Sequence, residues 1–266
     1  MKWGAFTLIE LLVVIAIIVL LTAILGPTLW HSKDNANAIV CSSNIKQLAL
    51  GLTLYENDHG TFPYAFYRYL KKSPPPPGGF PGNIVFDKVG WWWFNYIIDT
   101  SKRDLDNKSI LWCPSRQINK DMMKRDILCG NYGVNQSVCK SLDGSTIPSE
   151  FTGQPLCSSE ISNPSRTILL LDSGYSMINW QHVTANPPEP LGNAIEDAAY
   201  VPGLGINQKK KLWPGLEDDA IHGRHANKTV NIGFVDGHFN REKADSLLVE
   251  KTGETYTNRV PFWQPK

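Results

Sequence analysis

The chain has 266 residues, enough for a membrane anchor and one medium-sized domain. Its hydrophobic content of 42% and charged content of 19% are those of a folded protein, which excludes global disorder. A formal net charge of +1 provides no concentrated positive field, so nucleic acid is not a predicted partner. The apolar residues are unevenly distributed, because the lipid-like sequence is concentrated at the N-terminus.

The first predicted element is an apolar helix over residues 6–30. About 20 helical residues cross the hydrocarbon core of a bilayer, so this segment is long enough to span it. Only Lys2 and the amino terminus precede the segment, which favours an N-terminus in the cytoplasm. The apolar stretch is longer than that of an ordinary signal peptide and continues into a helical pattern. We therefore predict a membrane anchor, with the rest of the chain on the far side.

One carboxylate, Glu10, lies near the start of this apolar helix. A charged side chain deep in a bilayer costs about 3 kcal/mol, so an ionisable residue there indicates a function and needs a partner. Cleavage between Ala5 and Phe6 would create an α-amine one helical turn from the carboxylate. That amine can pair with Glu10 of the same chain or of a neighbouring subunit.

The sequence around this carboxylate resembles the processing and methylation motif of type IV prepilins and type II secretion pseudopilins; the matching residues are 5–14. The resemblance implies that a prepilin peptidase removes residues 1–5 as a leader and methylates the new N-terminal residue, Phe6. It also implies that Glu10, the fifth residue of the mature chain, serves assembly. The chain departs from the family at Ala5, where the family usually has glycine. A cut after Gly4 would place the acid at the sixth position, so the register of the acid favours the cut after Ala5.

Residues 31–59 are predicted to continue the same helix as an amphipathic segment. Gly26-Pro27 predicts a kink or local melting, because proline within a helix removes a backbone hydrogen bond. An apolar stripe with helical spacing follows and should pack on a globular head; it consists of Ile45, Leu48, Leu52 and Tyr55. His59-Gly60 predicts the end of the helix.

Further motifs resemble a subfamily of large pilin-like proteins with a C-terminal processing-associated motif, His-x9-Asp-Gly; they lie at residues 41–48, 60–63, 111–115, 131–135 and 167–172. The resemblance thus covers both ends of the chain and several segments between them. This chain departs from the subfamily pattern because ten residues, not nine, separate His225 from Asp236. The extra residue predicts a bulge or a shifted register.

Residues 60–266 are the predicted globular head, in the periplasm or outside the cell. Three short apolar runs predict β-strands, at residues 109–112, 167–171 and 229–235. Asp236-Gly237 follows the third run and predicts a hairpin turn. Proline-rich stretches at residues 71–82 and 187–214 predict long loops. The fold class is therefore α+β and pilin-like, with a long N-terminal transmembrane helix packed on a mostly antiparallel sheet.

Five cysteines occupy positions 41, 113, 129, 139 and 157. An exported location permits disulfide bonds, and we expect one or two bridges among the four cysteines of the head. The odd number leaves at least one thiol unpaired or paired between chains, and the connectivity cannot be read from the sequence.

The run Trp91-Trp92-Trp93 is either an aromatic platform for sugars or a set of core residues. Successive residues of a strand point to opposite faces, so the three cannot line one flat surface if they are extended. We expect burial in the core.

A polar cluster is predicted near the C-terminus from His222, His225, Asp236 and His238. Such groups can hold a metal ion if three or more of them lie about 2.0–2.2 Å from it. Alternatively, they tie the hairpin to the sheet, and His225 then lies against Asp236. We favour the structural alternative, and the metal alternative stays open.

These features predict a structural, non-enzymatic subunit of a type IV pilus or type II secretion pseudopilus, anchored in the inner membrane by one span or present in cell-surface filaments. The sequence contains no nucleophile elbow and no phosphate-binding glycine loop, and no cofactor is expected. The predicted partners are the prepilin peptidase/methyltransferase, other pilin-like subunits and inner-membrane lipid. The alternative is an exported binding domain for a glycan or a metal, which uses a prepilin anchor without forming filaments.

Overall fold

The computed structural model describes residues 7–68, 90–98, 109–121, 126–142, 149–188 and 198–265. The predicted cleavage residues, Ala5 and Phe6, lie outside the described residues, as does the predicted loop at 71–82. The described part is α+β, which confirms the predicted fold class.

One long helix, α1, runs from Leu8 to His59. Gly60 ends it with a positive φ of 80°, as the sequence predicts, because glycine adopts this left-handed conformation without a steric penalty. The helix continues through Gly26 and Pro27, so of the two predicted outcomes local melting is wrong, and a kink stays a prediction. A proline removes only one backbone hydrogen bond, and the helical turns on both sides keep the chain helical.

The second half of α1 packs one apolar face on the head. Ile45, Leu48 and Leu52 are fully buried and Tyr55 is half-buried, which confirms the predicted stripe. This face brings the helix into the hydrophobic core, and the helix therefore serves as part of the head as well as its stalk.

A small sheet lies beside α1. Strand β1, Phe66–Arg68, pairs antiparallel with β2, Gly90–Trp92, and the short helix α2, Phe94–Ile97, follows. All three side chains of the predicted tryptophan run are buried, with at most 7% exposed, so the prediction of core burial is confirmed.

The main sheet has five strands: β3 Tyr132–Asn135, β4 Ile168–Asp172, β5 Met177–Ile178, β6 Thr229–Phe234 and β7 Phe239–Lys243. Their order is β5-β3-β4-β6-β7, and every neighbouring pair is antiparallel except β3 and β5. A short helix, α3, Glu217–His222, precedes β6, and the two-stranded pair β8, Lys251–Thr252, and β9, Thr255–Tyr256, follows β7. Two of the three predicted strands are therefore confirmed, as β4 and β6.

The hairpin turn predicted between β6 and β7 is also confirmed. Gly237 has a φ of 85° and donates its N–H to the carbonyl of Phe234, 3.0 Å away. The N–H of Phe234 in turn donates to the carbonyl of His238 at 2.9 Å, which closes the hairpin.

The prediction of a strand at residues 109–112 is wrong, because this segment forms a turn. The carbonyl of Ser109 accepts the N–H of Trp112 at 3.0 Å, and its hydroxyl accepts the N–H of Leu111 at 3.3 Å. Serine offers the backbone this local alternative to a sheet, which the apolar character of the run does not reveal.

The helix α1 passes close to the sheet at Gly233 on β6. Alternate residues of a strand point to opposite faces, and β6 directs Val230, Ile232 and Phe234 into a second hydrophobic cluster that lacks α1 residues. A Cβ added at Gly233 would lie 3.3 Å from both Ala49 and Ile45 of α1. The missing side chain therefore sets how closely the helix docks.

We expect Gly233→Val to destabilise the protein by about 1–3 kcal/mol, because the added atoms would push α1 away from β6. A Cβ there would also lie 2.7 Å from Leu170 Cδ2. Urea denaturation of the detergent-solubilised, full-length protein measures the effect. As a control, Gly205→Val adds a Cβ whose nearest atom is 3.9 Å away, and its effect should stay within about 0.5 kcal/mol. Equal stabilities of the two variants would show that α1 does not dock closely at this point.

Candidate functional site

A buried carboxylate ends strand β4. Asp172 is fully buried, and its Oδ2 accepts the backbone N–H of Asn231 at 2.7 Å and the side-chain N–H of the same residue at 3.0 Å. The imidazole of His225 places its Nε2 3.1 Å from the same oxygen. Both members of the His225–Asp172 pair have only 1% of the side chain exposed. A buried charge pair of this kind requires such additional hydrogen bonds, because removing two charges from water is costly.

A second buried ion pair lies directly beside the first. Arg224 Nε donates to both carboxylate oxygens of Asp219 at 2.9 Å. The other guanidinium nitrogens donate to the carbonyls of Asn131, at 2.6 Å, and Ser173, at 2.7 Å. Two consecutive residues, 224 and 225, thus join α3 to the ends of β3 and β4, and the fork geometry of arginine suits it to this task.

Two cysteines from distant parts of the chain lie next to His225. Cys41 of α1 and Cys113, which follows the turn at residues 109–112, place their Sγ atoms 2.9 Å apart. The two sulfurs and a ring nitrogen of His225 all lie within 4.8 Å of one another, and the three residues are buried. His225 Nδ1 is buried without a hydrogen-bond partner in the described part of the chain. Three groups therefore lie next to one another in this order: the sulfur of Cys41, the imidazole of His225 and the carboxylate of Asp172.

The surroundings set the charge of these groups. Burial lowers the pKa of His225, but the charge and hydrogen bond of Asp172 outweigh it and raise the pKa to about 9. Burial raises the pKa of Asp172, and the charge and hydrogen bond of His225 bring it below its usual value. The hydrogen bond from the Cys113 thiol lowers the pKa of Cys41 to about 5 against the effect of burial, and His225 contributes to the decrease. The interaction of His225 with Asp172 thus favours the charged form of both side chains.

The structure does not bring together the four residues of the polar cluster predicted from the sequence. His225 is buried against Asp172, whereas Asp236 lies exposed in the hairpin turn and accepts from His238, with 2.5 Å between Oδ1 and Nδ1. His222 is exposed in α3, and its Nδ1 lies 3.8 Å from Asp218 Oδ1. The contact predicted between His225 and Asp236 is therefore wrong. Strand β6 lies between the two residues in the chain, and the buried imidazole meets the buried Asp172 instead of the exposed Asp236.

The five cysteines, all of them within the described residues, are free thiols in this structure. The bridges predicted among the four head cysteines are thus not formed. Burial raises the pKa of Cys129 and Cys139 above the usual value for a thiol, which makes these two unreactive. Among these five described cysteines, the sulfurs of Cys41, on the helix, and Cys113 are in close contact.

Glu10 has a local partner at the start of α1. Its carboxylate Oε2 accepts the backbone N–H and the hydroxyl of Thr7, both at 2.8 Å, and the Thr7 hydroxyl accepts the N–H of Glu10 at 3.3 Å. This reciprocal arrangement is a capping box, which satisfies N–H groups that have no partner within the helix. The role predicted for Glu10 in assembly stays a prediction, because the α-amine expected at Phe6 lies outside the described residues.

The chemistry open to the buried group follows from its position. A thiolate beside an imidazole and a carboxylate is a possible nucleophile, and two thiolates with an imidazole are possible zinc ligands. Cys41 has no exposed surface, so a substrate cannot reach its sulfur in this conformation. The group instead lies at the junction of α1, β4 and β6. The sequence does contain a signal for Asp172, because it is an acid at the end of an apolar strand. No local sequence pattern indicates that Cys41 meets Cys113.

The N-terminal half of α1 is exposed and strongly apolar. The segment Leu8–Gly26 has a mean hydropathy of 3.2 and is long and apolar enough to cross a membrane. The residues described thus define a class: an α+β protein with an N-terminal apolar helix, compatible with a single-pass membrane anchor, that continues into a head built around an antiparallel-rich sheet.

Among curated proteins, the type II secretion system core protein G of Pseudomonas aeruginosa is 36% identical to this chain over 88 residues. The matched segment is 33% of this chain and 61% of that protein, so the similarity spans less than two thirds of the relative. No family model matches the chain, and no solved structure matches it.

We expect His225 to stabilise the fold most below neutral pH. Its pKa rises from 6.5 to about 9 on folding, so its contribution is fully present below pH 6.5 and is lost as the pH rises through 9. The stability difference between the wild-type protein and His225→Gln should therefore shrink by about 2–3 kcal/mol between pH 6 and pH 10. Urea denaturation of full-length protein in detergent at several pH values measures it.

The control for this prediction is His238→Gln, which removes an exposed histidine that also contacts an aspartate. Solvent screens such pairs, so this variant should differ from the wild type by less than about 0.5 kcal/mol at every pH. A difference for His225→Gln that does not change with pH would mean that the imidazole is not charged in the folded protein.

Proposed function

We propose that this protein is a structural, pilin-like subunit that assembles through α1 into a type II secretion pseudopilus or a type IV pilus. The observation that carries the proposal is a second apolar face on α1, which the head leaves uncovered. The similarity to type II secretion system core protein G points in the same direction and favours the pseudopilus.

The second face comprises Ile39, Val40, Leu50 and Leu54, whose exposed fractions lie between 48% and 67%. At about 100° per residue, these four positions fall within a sector about 100° wide, opposite to the face that packs on the head. Ser43 and Gln47 are also exposed in this sector. Exposed apolar patches on one side of a protein mark interaction sites. Helices that pack side by side bury such sectors against one another.

This face continues the membrane segment in the same helix. One surface of α1 can therefore be held by lipid before assembly and by neighbouring helices afterwards. In this proposal the anchor spans the inner membrane once, with the N-terminus in the cytoplasm and the head in the periplasm. The partners are inner-membrane lipid and other pilin-like subunits, and the head lies on the outside of the filament.

Processing would complete the assembly surface. In this proposal the prepilin peptidase cuts between Ala5 and Phe6 and methylates Phe6, whose charged amine lies near Glu10 of its own chain or of a neighbour. The capping box of Glu10 with Thr7 leaves the carboxylate exposed at the end of the helix, where a second chain can reach it. In the low dielectric of a membrane or filament core, such a charge pair is far stronger than in water.

We expect Leu50→Lys and Leu54→Lys to reduce incorporation into filaments at least tenfold while stability stays within about 0.5 kcal/mol of the wild type. A lysine on this face would bury an unpaired charge between two helices, whereas in the free subunit it lies in solvent. The measurement is the fraction of the protein in sheared filaments relative to the whole cell, with urea denaturation in parallel.

The matched control is Glu254→Lys, which introduces the same side chain at an exposed turn between β8 and β9 and should assemble normally. Normal assembly of both leucine variants would contradict the proposed face. A wild-type protein that is never found in sheared filaments, and stays wholly with the inner membrane, would favour a tethered binding domain instead.

We expect Glu10→Gln to insert into the membrane normally and to assemble poorly. Glutamine can replace glutamate in a capping box, so the helix start is retained while the charge is removed. Loss of the charge makes insertion easier, because the cost of burying it disappears. The measurement is the recovery of the variant in sheared filaments when it is expressed at wild-type levels.

The control for this variant is the mass of the N-terminal peptide, which should begin at Phe6 in both proteins. A wild-type chain that begins at Met1 would contradict the processing step. Assembly of Glu10→Gln at the wild-type level would mean that the carboxylate serves only as a helix cap.

A further inference from the structure

The two sulfurs beside His225 belong to segments that are separated by 72 positions in the chain. Cys41 is part of α1, the proposed assembly helix, and Cys113 is part of the head. Both are buried, and their Sγ atoms are 2.9 Å apart. A disulfide bond has an S–S length of about 2.05 Å, so only a small shift separates the two thiols from a covalent bond.

Other contacts hold the two cysteines in place. Asn44, one turn after Cys41 on α1, donates its side-chain N–H to the carbonyl of Trp112 at 3.1 Å and to the hydroxyl of Tyr132 at 3.2 Å. The N–H of Cys113 donates to the side chain of Asn131 at 3.0 Å. The bond from Asn44 to Trp112 fastens the segment before Cys113 to α1, and the bond from Cys113 to Asn131 fastens it to the head, so the close approach of the sulfurs is a feature of the fold.

The same geometry argues against a metal site. Two zinc ligands at about 2.3 Å in a tetrahedral site keep their sulfurs about 3.8 Å apart, which is farther than the observed separation.

We infer that Cys41 and Cys113 form a disulfide bond in the mature protein, which joins the assembly helix covalently to the head. The inference rests on the proposed function in one respect, since export supplies an oxidising compartment. The oxidant is a disulfide of a thiol–disulfide oxidoreductase or of a small molecule such as oxidised glutathione.

The exchange proceeds in two steps. The Cys41 thiolate attacks the oxidant disulfide, which forms a mixed disulfide and releases one thiolate. The Cys113 thiol then loses its proton and attacks the Cys41 sulfur, which releases the second. The two cysteines together lose two hydrogens, and the oxidant becomes two thiols. Because both sulfurs are buried in the folded protein, the exchange takes place before α1 closes over the head.

The bond would stabilise the protein by restricting the unfolded chain, and the long loop between the two cysteines makes this effect large. It would also prevent α1 from separating from the head when a filament is under load. The helix that carries the assembly face would then be fixed to the head by more than packing.

The experiment uses full-length protein from membranes and sheared filaments, denatured in N-ethylmaleimide without reductant. Peptide mapping should recover the peptides of Cys41 and Cys113 joined to each other, with a mass two hydrogens below the sum of the two reduced peptides. N-ethylmaleimide should label three thiols before reduction and five after it. Dithiothreitol should lower the Tm of the wild type by about 5–15 °C. It should not change the Tm of a Cys41→Ser/Cys113→Ser variant. In the control, Cys139→Ser, which alters a buried thiol elsewhere in the core, the effect of dithiothreitol should persist.

If the protein begins at Phe6, is found in filaments and has five labelled thiols before reduction, the inferred disulfide is overturned and the proposed function stays intact. One zinc per chain with five labelled thiols would replace it with a metal site. If the native chain is unprocessed and reduced, the proposed function fails. The inferred disulfide is then tested by refolding the reduced protein with oxidised glutathione. A bond between Cys41 and Cys113 supports the inference, and any other product overturns it.

Discussion

The close docking of α1 on strand β6 is the contact on which the rest of the head depends. It is possible because Gly233 has no side chain where the helix passes. The buried face of the helix is thereby committed to the core, and the opposite apolar face is left outside. The same docking carries Cys41 to the end of β4, so that the sulfur lies beside a buried histidine and near a second cysteine. Stability, assembly surface and sulfur chemistry therefore share one origin in the helix position.

The head keeps two ion pairs away from water and gives most of their polar atoms hydrogen-bond partners; among the described residues, Asp172 Oδ1 and His225 Nδ1 have none. Arg224 and His225 are neighbours in the chain, yet each binds a different carboxylate, Asp219 and Asp172. Carbonyls of two loops accept the remaining donors of the arginine. Buried pairs contribute little net stability when compared with apolar residues, but breaking one is strongly destabilising. In this protein the two ion pairs instead fix how α3 packs against the ends of β3 and β4.

The helix has two requirements that oppose each other. Its exposed apolar residues lower the solubility of a free subunit, yet a filament needs them to bury area between neighbouring helices. Under the proposed function, anchoring in lipid would resolve part of this conflict, because the N-terminal segment of α1 is long and apolar enough to lie within a membrane. The exposed face above the membrane is smaller and includes polar residues such as Ser43 and Gln47. A moderate patch of this kind suits an interface that forms only when many subunits align.

The sequence by itself determined the features that arise from residues close together in the chain. The span and end of α1, its buried stripe, the strands β4 and β6, and the Asp236-Gly237 turn follow from local periodicity and turn chemistry. Only the tertiary structure decided which groups meet across the fold. His225 is nearer in sequence to Asp236 but pairs with Asp172, 53 positions away, because the fold buries His225 beside Asp172 and leaves Asp236 exposed in the turn. The approach of Cys41 to Cys113 likewise depends on how the helix docks, which no local pattern encodes.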